Sequence, residues 1–211
     1  MSSFETVVEK AKEVQSKHFP NIKMETLPPF YKNEDYINVL SASIQEYLND
    51  FRPDHLLFSY HGIPERHIYK SDTTNSHCKI DGTCCNNPSK AHETCYRHQC
   101  FATTKSVTAN LKLKKGTFSD SFQSRLLKDP WLKPYTDFEL ERLAHEGIKK
   151  LAVVTPAFVA DCLETLEEIA MEGKEEFLKA GGEEYLHIPC LNDDDAWVTV
   201  MAKWINNWIK N

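Results

Sequence analysis

Short apolar runs alternate with helix-length amphipathic segments along almost the whole chain, and that alternation restricts the fold more than any other feature. The runs "HLLFSY" (55–60), "GTFSDSFQS" (116–124), "KLAVVTP" (150–156) and "EYLHIP" (184–189) have the length of buried strands, with a weaker candidate in "IKMETL" (22–27). Between them, 3–18, 34–50, 94–113, 136–147, 160–180 and 193–210 carry apolar residues at helical spacing. Asn33 and Thr136 stand where helix N-caps are expected, Gly147 and Gly181 where C-caps are. Strands alternating with helices pair in parallel through right-handed crossovers. The spacing therefore predicts one α/β domain over 1–211: a parallel, mainly four-stranded sheet, helices on both faces, and a cysteine-rich loop at 77–100.

Composition narrows the partners. With a net charge of -6 the chain offers no basic stripe to neutralise phosphates, which argues against nucleic acid. Hydrophobic residues at 41% and charged residues at 27% argue against a disordered or fibrous chain. No apolar run approaches the ~20 residues that span a bilayer. The start, "MSSFETVVEKAKEV", reads as an amphipathic helix rather than a secretory signal. A cytoplasmic location is expected, with nothing to indicate peripheral membrane contact.

In open parallel sheets ligands bind beyond the carboxyl ends of the strands. Two loops lie there, one after Tyr60 beginning "HGIPERH" and one after Thr155 beginning "PAFVADCLETLEE". His61 follows a strand and precedes a glycine, so its ring has room to face a cleft and take a proton or a metal. The same position suits an ordinary structural histidine. Glu164, Glu168 and Glu172 recur every fourth residue, with Asp161 on the same side. Such a ribbon passes divalent cations or protons if the helix start faces a cavity. It is also how a solvated amphipathic helix looks.

Four stretches in register carry a resemblance: "LLFSYHGIPERH" (56–67), "FQSR…PWLKPYTD" (122–137), "VVTPAFVADCLETLEEI" (153–169) and "AGGEEYLHIPCLND" (180–193). Together they closely resemble ferrochelatase, and the likeness continues through "NDDDAWVTVMAKWI". The resemblance implies a Rossmann-like, chelatase-type fold and the insertion of Fe²⁺, as substrate, into protoporphyrin IX or a related dicarboxylic porphyrin, the terminal step of haem biosynthesis. It implies that the chain corresponds to the family's C-terminal two-thirds, without the first domain that supplies one lip of the porphyrin cleft. Little turnover is expected without that domain. By residue, the resemblance makes His61 the cleft histidine and Glu164 the facing acid, both implicated in proton removal and metal handling. Glu168 and Glu172 continue the acidic path, and Asp161 matches an acidic position beside it. Cys162 sits where some members carry a second histidine. Gln123, Ser124 and Arg125 match a family turn whose expected role is structural.

Residues 77–100, "HCKIDGTCCNNPSKAHETCYRHQC", hold five of the seven cysteines and three histidines. An odd count without a signal peptide favours a metal or redox role over a disulfide framework. Some bacterial ferrochelatases carry a 2Fe–2S cluster in this internal segment, and the resemblance implies one here with Cys78, Cys85, Cys95 and Cys100 as ligands and Cys84 as alternative to Cys85. A zinc site using His77, His92 or His98 beside the thiolates is the competing reading, and metal-free thiols the third; the absence of paired C-x₂-C knuckles counts against zinc. A second function class stays open: a non-catalytic module, derived from a ferrochelatase, that binds porphyrin, an iron–sulfur cluster or zinc.

Overall fold

A computed structural model describes residues 4–126 and 129–210. Helices α1 (Phe4–His18) and α2 (Glu34–Phe51) precede strand β1 (His55–His61) and the short α3 (Arg66–Lys70). Helix α4 (Tyr96–Asn110), β2 (Phe118–Gln123), α5 (Thr136–His145) and β3 (Lys150–Val154) follow. A π-helix (Glu164–Glu172) runs into α6 (Gly173–Lys179), and β4 (Glu184–His187) and α7 (Asp195–Ile209) complete the order. The four strands form one parallel sheet in the order β2-β1-β3-β4.

Strand periodicity explains the layers. On β1, Leu56, Phe58 and Tyr60 point to one face and pack with Ile37, Leu40 and Ile44 of α2, Val107 of α4 and Trp197 of α7. Leu57 points to the other face and joins Leu140 and Leu143 of α5, Ile169 of the π-helix, Phe177 of α6 and Tyr185 of β4. Both faces of β1 are therefore covered, and its first six residues are all buried. Each such side chain contributes about 1.5–3 kcal/mol of burial.

The local signals are met in part. Asn33 caps α2, its side chain accepting from the amides of Asp35 (3.0 Å) and Tyr36 (3.4 Å). After α5, Gly147 adopts φ 95°, and the amide of Ile148 reaches back to the Leu143 carbonyl at 3.1 Å. After α6, Gly181 at φ 106° lets the Gly182 amide bond the Phe177 carbonyl at 3.0 Å. Both are six-to-one closures that need a left-handed residue.

Four expectations need correction. Residues 22–27 form no strand: they lie outside the sheet as irregular chain. Thr136 is not a cap. Tyr135 holds that position, and the Thr136 hydroxyl is buried between those of Ser59 (2.8 Å) and Ser121 (2.9 Å), fastening α5 to the sheet. The expected helix at 94–113 is shorter, because Cys95 is its N-cap and Leu111 its C-cap. The span 160–180 is not one α-helix, since Asp161 and its neighbours form a loop and regular winding begins as π at Glu164.

One buried acid sets an acid-range signature. Asp120 of β2 accepts from Thr104 Oγ1, which also pairs with the Tyr60 hydroxyl at 2.8 Å. Burial raises the Asp120 pKa to about 6, opposed only in part by Thr104. The unfolded carboxyl ionises near ~4, so stability falls as pH rises from there to about 6. Asp120→Asn keeps the acceptor for Thr104 and removes that charge. It is expected to stabilise the protein by on the order of 2 kcal/mol at pH 7.5 and not at pH 4. Urea midpoints at the two pH values check this.

Candidate functional site at the carboxyl ends of β1 and β3

His61 is the last residue of β1, half-buried, with its ring between Trp131 (centroids 6.4 Å apart) and Phe158 (6.2 Å). Its Nδ1 lies 2.6 Å from the Gly62 carbonyl. A carbonyl only accepts, so Nδ1 carries the proton and Nε2 keeps the lone pair. The His61 carbonyl accepts from the Tyr96 hydroxyl at 2.8 Å, fixing the strand end. Gly62 is required by close approach, because a Cβ there would stand 2.8 Å from the Gln123 carbonyl and 3.2 Å from the Trp131 ring.

Glu164 begins the π-helix, and its carboxyl is held below the usual range by a hydrogen bond from Cys162, its own amide and the nearby His61 ring. The fold thus brings His61 and Glu164 into electrostatic reach from two different loops. Cys162 is in turn pushed up, by burial first and then by Glu164. Asp161 is turned to another task. Its oxygens accept from Asn192 Nδ2 (2.7 Å) and Thr165 Oγ1 (2.9 Å), tying the π-helix entry to the loop after β4. Burial works against its charge, but Asn192, Thr165 and Cys190 outweigh it and lower its pKa.

Glu168 is also engaged. It accepts from the Ser124 amide (2.6 Å), the Ser124 hydroxyl and Gln123 Nε2 (3.4 Å). Gln123 Nε2 further donates to the Glu164 carbonyl at 2.8 Å, and its oxygen accepts from Ser59 at 2.9 Å. The turn at Gln123–Arg125, with Ser124 at φ 64°, therefore clamps the π-helix to the ends of β1 and β2. Beyond it, Glu172 and Glu176 line a cavity of about 280 Å³ with Glu168, Asp137 and Arg125. Burial and the neighbouring Asp137 and Glu172 raise Glu176. Arg125 pairs with Asp137 at 2.5 Å and lies over the rings of Tyr135 and Phe138. The wider π winding brings residues spaced by four nearer to one line than an α-helix does, where each such step drifts by about 40°.

An apolar cavity of about 380 Å³ adjoins the strand ends, lined by Tyr36, Tyr60, Tyr96, Phe30, Cys100 and Pro156 among others. These walls, with Trp131 and Phe158, escaped the sequence reading. Aromatics next to His61 and inside the quoted motifs were the only signal for them.

The cysteine segment is organised by Asp72, whose carboxylate accepts from the amides of Thr74 (2.9 Å), His77 (2.9 Å) and Cys78 (2.8 Å). The thiol of Cys95 is hydrogen-bonded with those of Cys85 and Cys78. Cys85 holds Cys95 down, whereas burial pushes Cys78 up. Cys84 contacts the Arg97 guanidinium at 3.5 Å. The buried thiol of Cys100 meets Tyr96, lines the apolar cavity and lies within electrostatic reach of Cys85. His77 and His92 face each other at 3.2 Å between Nε2 atoms, and the rings of His92 and His98 stack at 3.6 Å. Among the described residues, no three Cys, His, Asp or Glu side chains are set around a point that would hold a metal ion. No described helix is long and apolar enough to cross a membrane.

The ferrochelatase family model matches residues 1–208. Ferrochelatase of Opitutus terrae is 50% identical over 210 residues, covering 100% of this chain and 61% of that protein. Ferrochelatases of two Pseudomonas fluorescens strains are 46% identical over 202 residues and 47% identical over 203, each covering 95% of this chain and 59% of the relative. The chain thus spans about three fifths of the length of the curated relatives it matches. The four-stranded parallel sheet with helices on both faces agrees with this match, and the chain belongs to the ferrochelatase family.

Proposed function

We propose that this chain is the metal-inserting portion of a ferrochelatase, which places Fe²⁺ in protoporphyrin IX to form haem, a lyase reaction and the last step of haem biosynthesis, in the cytoplasm. The observation that carries the reading is that His61, with its Nε2 free at the end of β1, lies within electrostatic reach of Glu164, which opens a π-helix whose Glu168 and Glu172 line an acidic cavity. Metallation removes two pyrrole N–H protons as the ring nitrogens bind the cation. His61 Nε2 takes a proton from the ring, and Glu164, ionised and close to His61, takes the other or hands over the metal. Glu172 and Glu176 lie outward along the proposed cation route, and Glu168 and Asp161 chiefly hold its wall. Tyr60, Tyr96 and Phe158 offer an apolar surface for one side of the macrocycle. The opposite wall is assigned to the portion of the relatives' length that this chain does not span. For the cysteine segment the reading is a thiolate-held centre, 2Fe–2S or zinc, supplying stability or redox sensitivity outside the crevice. It is supported by the hydrogen bonds of the Cys95 thiol with those of Cys78 and Cys85.

The test is metalloporphyrin formation, followed at the Soret band with Fe²⁺ under anaerobic conditions and with Zn²⁺ as surrogate. The chain alone is expected to show little turnover. Joined to the remaining part of the Opitutus terrae ferrochelatase, it is expected to turn over. An inactive but folded and porphyrin-binding fusion would overturn the reading in favour of a non-catalytic binding module.

A further inference from the structure

A chain of hydroxyls leads from the wall of the apolar cavity to the edge of the sheet. Tyr60 lines that cavity and is 2% exposed, and its hydroxyl pairs with Thr104 Oγ1 of α4 at 2.8 Å. Thr104, equally buried, donates in turn to a carboxyl oxygen of Asp120. Thr104 has one hydroxyl proton, and an ionised carboxylate only accepts. The direction is therefore set: Tyr60 donates to Thr104, and Thr104 donates to Asp120. Asp120 stands on β2, the outer strand of the sheet, and is half-buried, so the far end of the chain meets water. The position needs an acceptor for Thr104, not a charge, and asparagine would supply one. The groups that face the carboxyl are Thr104 and Cys100 of α4 and Tyr60 of β1; no lysine or arginine among the described residues shifts its ionisation. Burial works against the charge and raises the pKa. A charge kept where it weakens the fold points to function.

We propose that Tyr60, Thr104 and Asp120 form a proton relay from the apolar cavity to the surface, and that it carries away one of the two protons that leave the porphyrin. In one passage a proton leaving the ligand binds the Tyr60 oxygen, the phenolic proton moves to Thr104 Oγ1, and the Thr104 proton moves to Asp120. Asp120 then gives its proton to water, and the two hydroxyls turn back to their starting direction. Protons alone move, so no oxidant or reductant enters the balance. Hydroxyls in series polarise one another, which favours a concerted shift over a charged intermediate. An acid with a pKa of about 6 suits the last step, because it takes a proton and returns it near neutral pH. Resting on the reading of this cavity as a porphyrin surface, the relay serves the case in which Glu164 delivers the metal and His61 takes a single proton.

The test uses the fusion with the remaining part of the Opitutus terrae ferrochelatase and has two readouts. The first needs no turnover. The infrared carboxyl band of Asp120, identified by its loss in Asp120→Asn, is recorded at a pH of about 6, where the acid is partly protonated. Protoporphyrin IX is then added without metal. The band is expected to shift in the parent and to stay fixed in Thr104→Val, which keeps the shape of threonine and cuts the relay. The second readout is metalloporphyrin formation with Zn²⁺. Tyr60→Phe, Thr104→Val and Asp120→Asn should each lower kcat by about tenfold, with the KM for porphyrin within about twofold of the parent. The double variant Tyr60→Phe/Asp120→Asn should lose no more than either single one, because one chain is broken only once. Thr104→Ser, which returns the hydroxyl, should recover the band shift and most of kcat.

Loss of fold does not explain such a result, since Asp120→Asn is expected to be the more stable protein at neutral pH. A Thr104→Val variant with the parent's rate and band shift overturns the relay. So does a Thr104→Ser variant as slow as Thr104→Val, which would make residue 104 a matter of packing. A fusion that binds porphyrin and shifts the band but inserts no metal keeps the relay and overturns the metal-insertion reading instead. A fusion that binds no porphyrin overturns both.

Discussion

His61→Ala is expected to slow metalloporphyrin formation by roughly 10²–10⁴-fold, the usual contribution of a positioned base. The measurement is made on the fusion that carries the remaining part of a relative. The expectation follows from the tautomer: Gly62 accepts the Nδ1 proton at 2.6 Å, so Nε2 is the free base, and Trp131 and Phe158 hold the ring's direction. Alanine removes the lone pair and leaves the strand end intact, since the Tyr96 bond goes to the His61 backbone carbonyl. Porphyrin affinity should therefore change far less than turnover. Glu164→Ala should cost a similar factor, because the carboxylate that the Cys162 hydrogen bond keeps ionised disappears. Glu172→Gln, further out, should act mainly when metal is scarce, as a rise in the KM for Fe²⁺. Steady-state rates against porphyrin and metal separate these outcomes, and a fusion that is active and indifferent to His61→Ala removes the base assignment.

How much of this was legible in the sequence differs between elements. The four strands were readable because β1 and β3 are covered on both faces and so carry continuous apolar runs. The weaker run at 22–27, broken by Lys23 and Glu25, forms no strand and lies outside the sheet. His61 and Glu164 could be named from strand ends and family likeness, but their nearness is a property of the crossover and of the loop around Asp161. The acidic ribbon was visible as spacing alone. Spacing is blind to hydrogen bonding, so it could not separate Glu168, clamped by Ser124, from Glu172, which lines an open cavity. The π winding was equally hidden, because residues four apart share a face in either helix. Cysteine counting offered Cys100 as a ligand by number, and counting cannot show that its thiol is buried beside Tyr96 and lines the apolar cavity.

The largest stability effect is expected away from the crevice, where Phe177 meets Gly182. Phe177 is fully buried under β3 and β4, its ring 6.0 Å from that of Tyr185 and in one cluster with Leu140 and Ile169. Phe177→Ala empties a ring-sized volume that four structural elements enclose, and should cost about 3–5 kcal/mol. Gly182 closes α6 through its bond to the Phe177 carbonyl, and a Cβ there would enter the envelope of three carbons of the same ring. The ring has no empty side to turn to, so Gly182→Ala should cost about 1–3 kcal/mol by overpacking. Two independent sites would add. These two share one volume, so in the double variant the new methyl enters the space the ring has left, and the combined loss should fall below the sum by more than about 0.5 kcal/mol. Urea unfolding of the four proteins measures the coupling. Strict additivity would mean that the clash is relieved by a shift of the Gly181–Gly182 turn and that Phe177 does not set the size of residue 182.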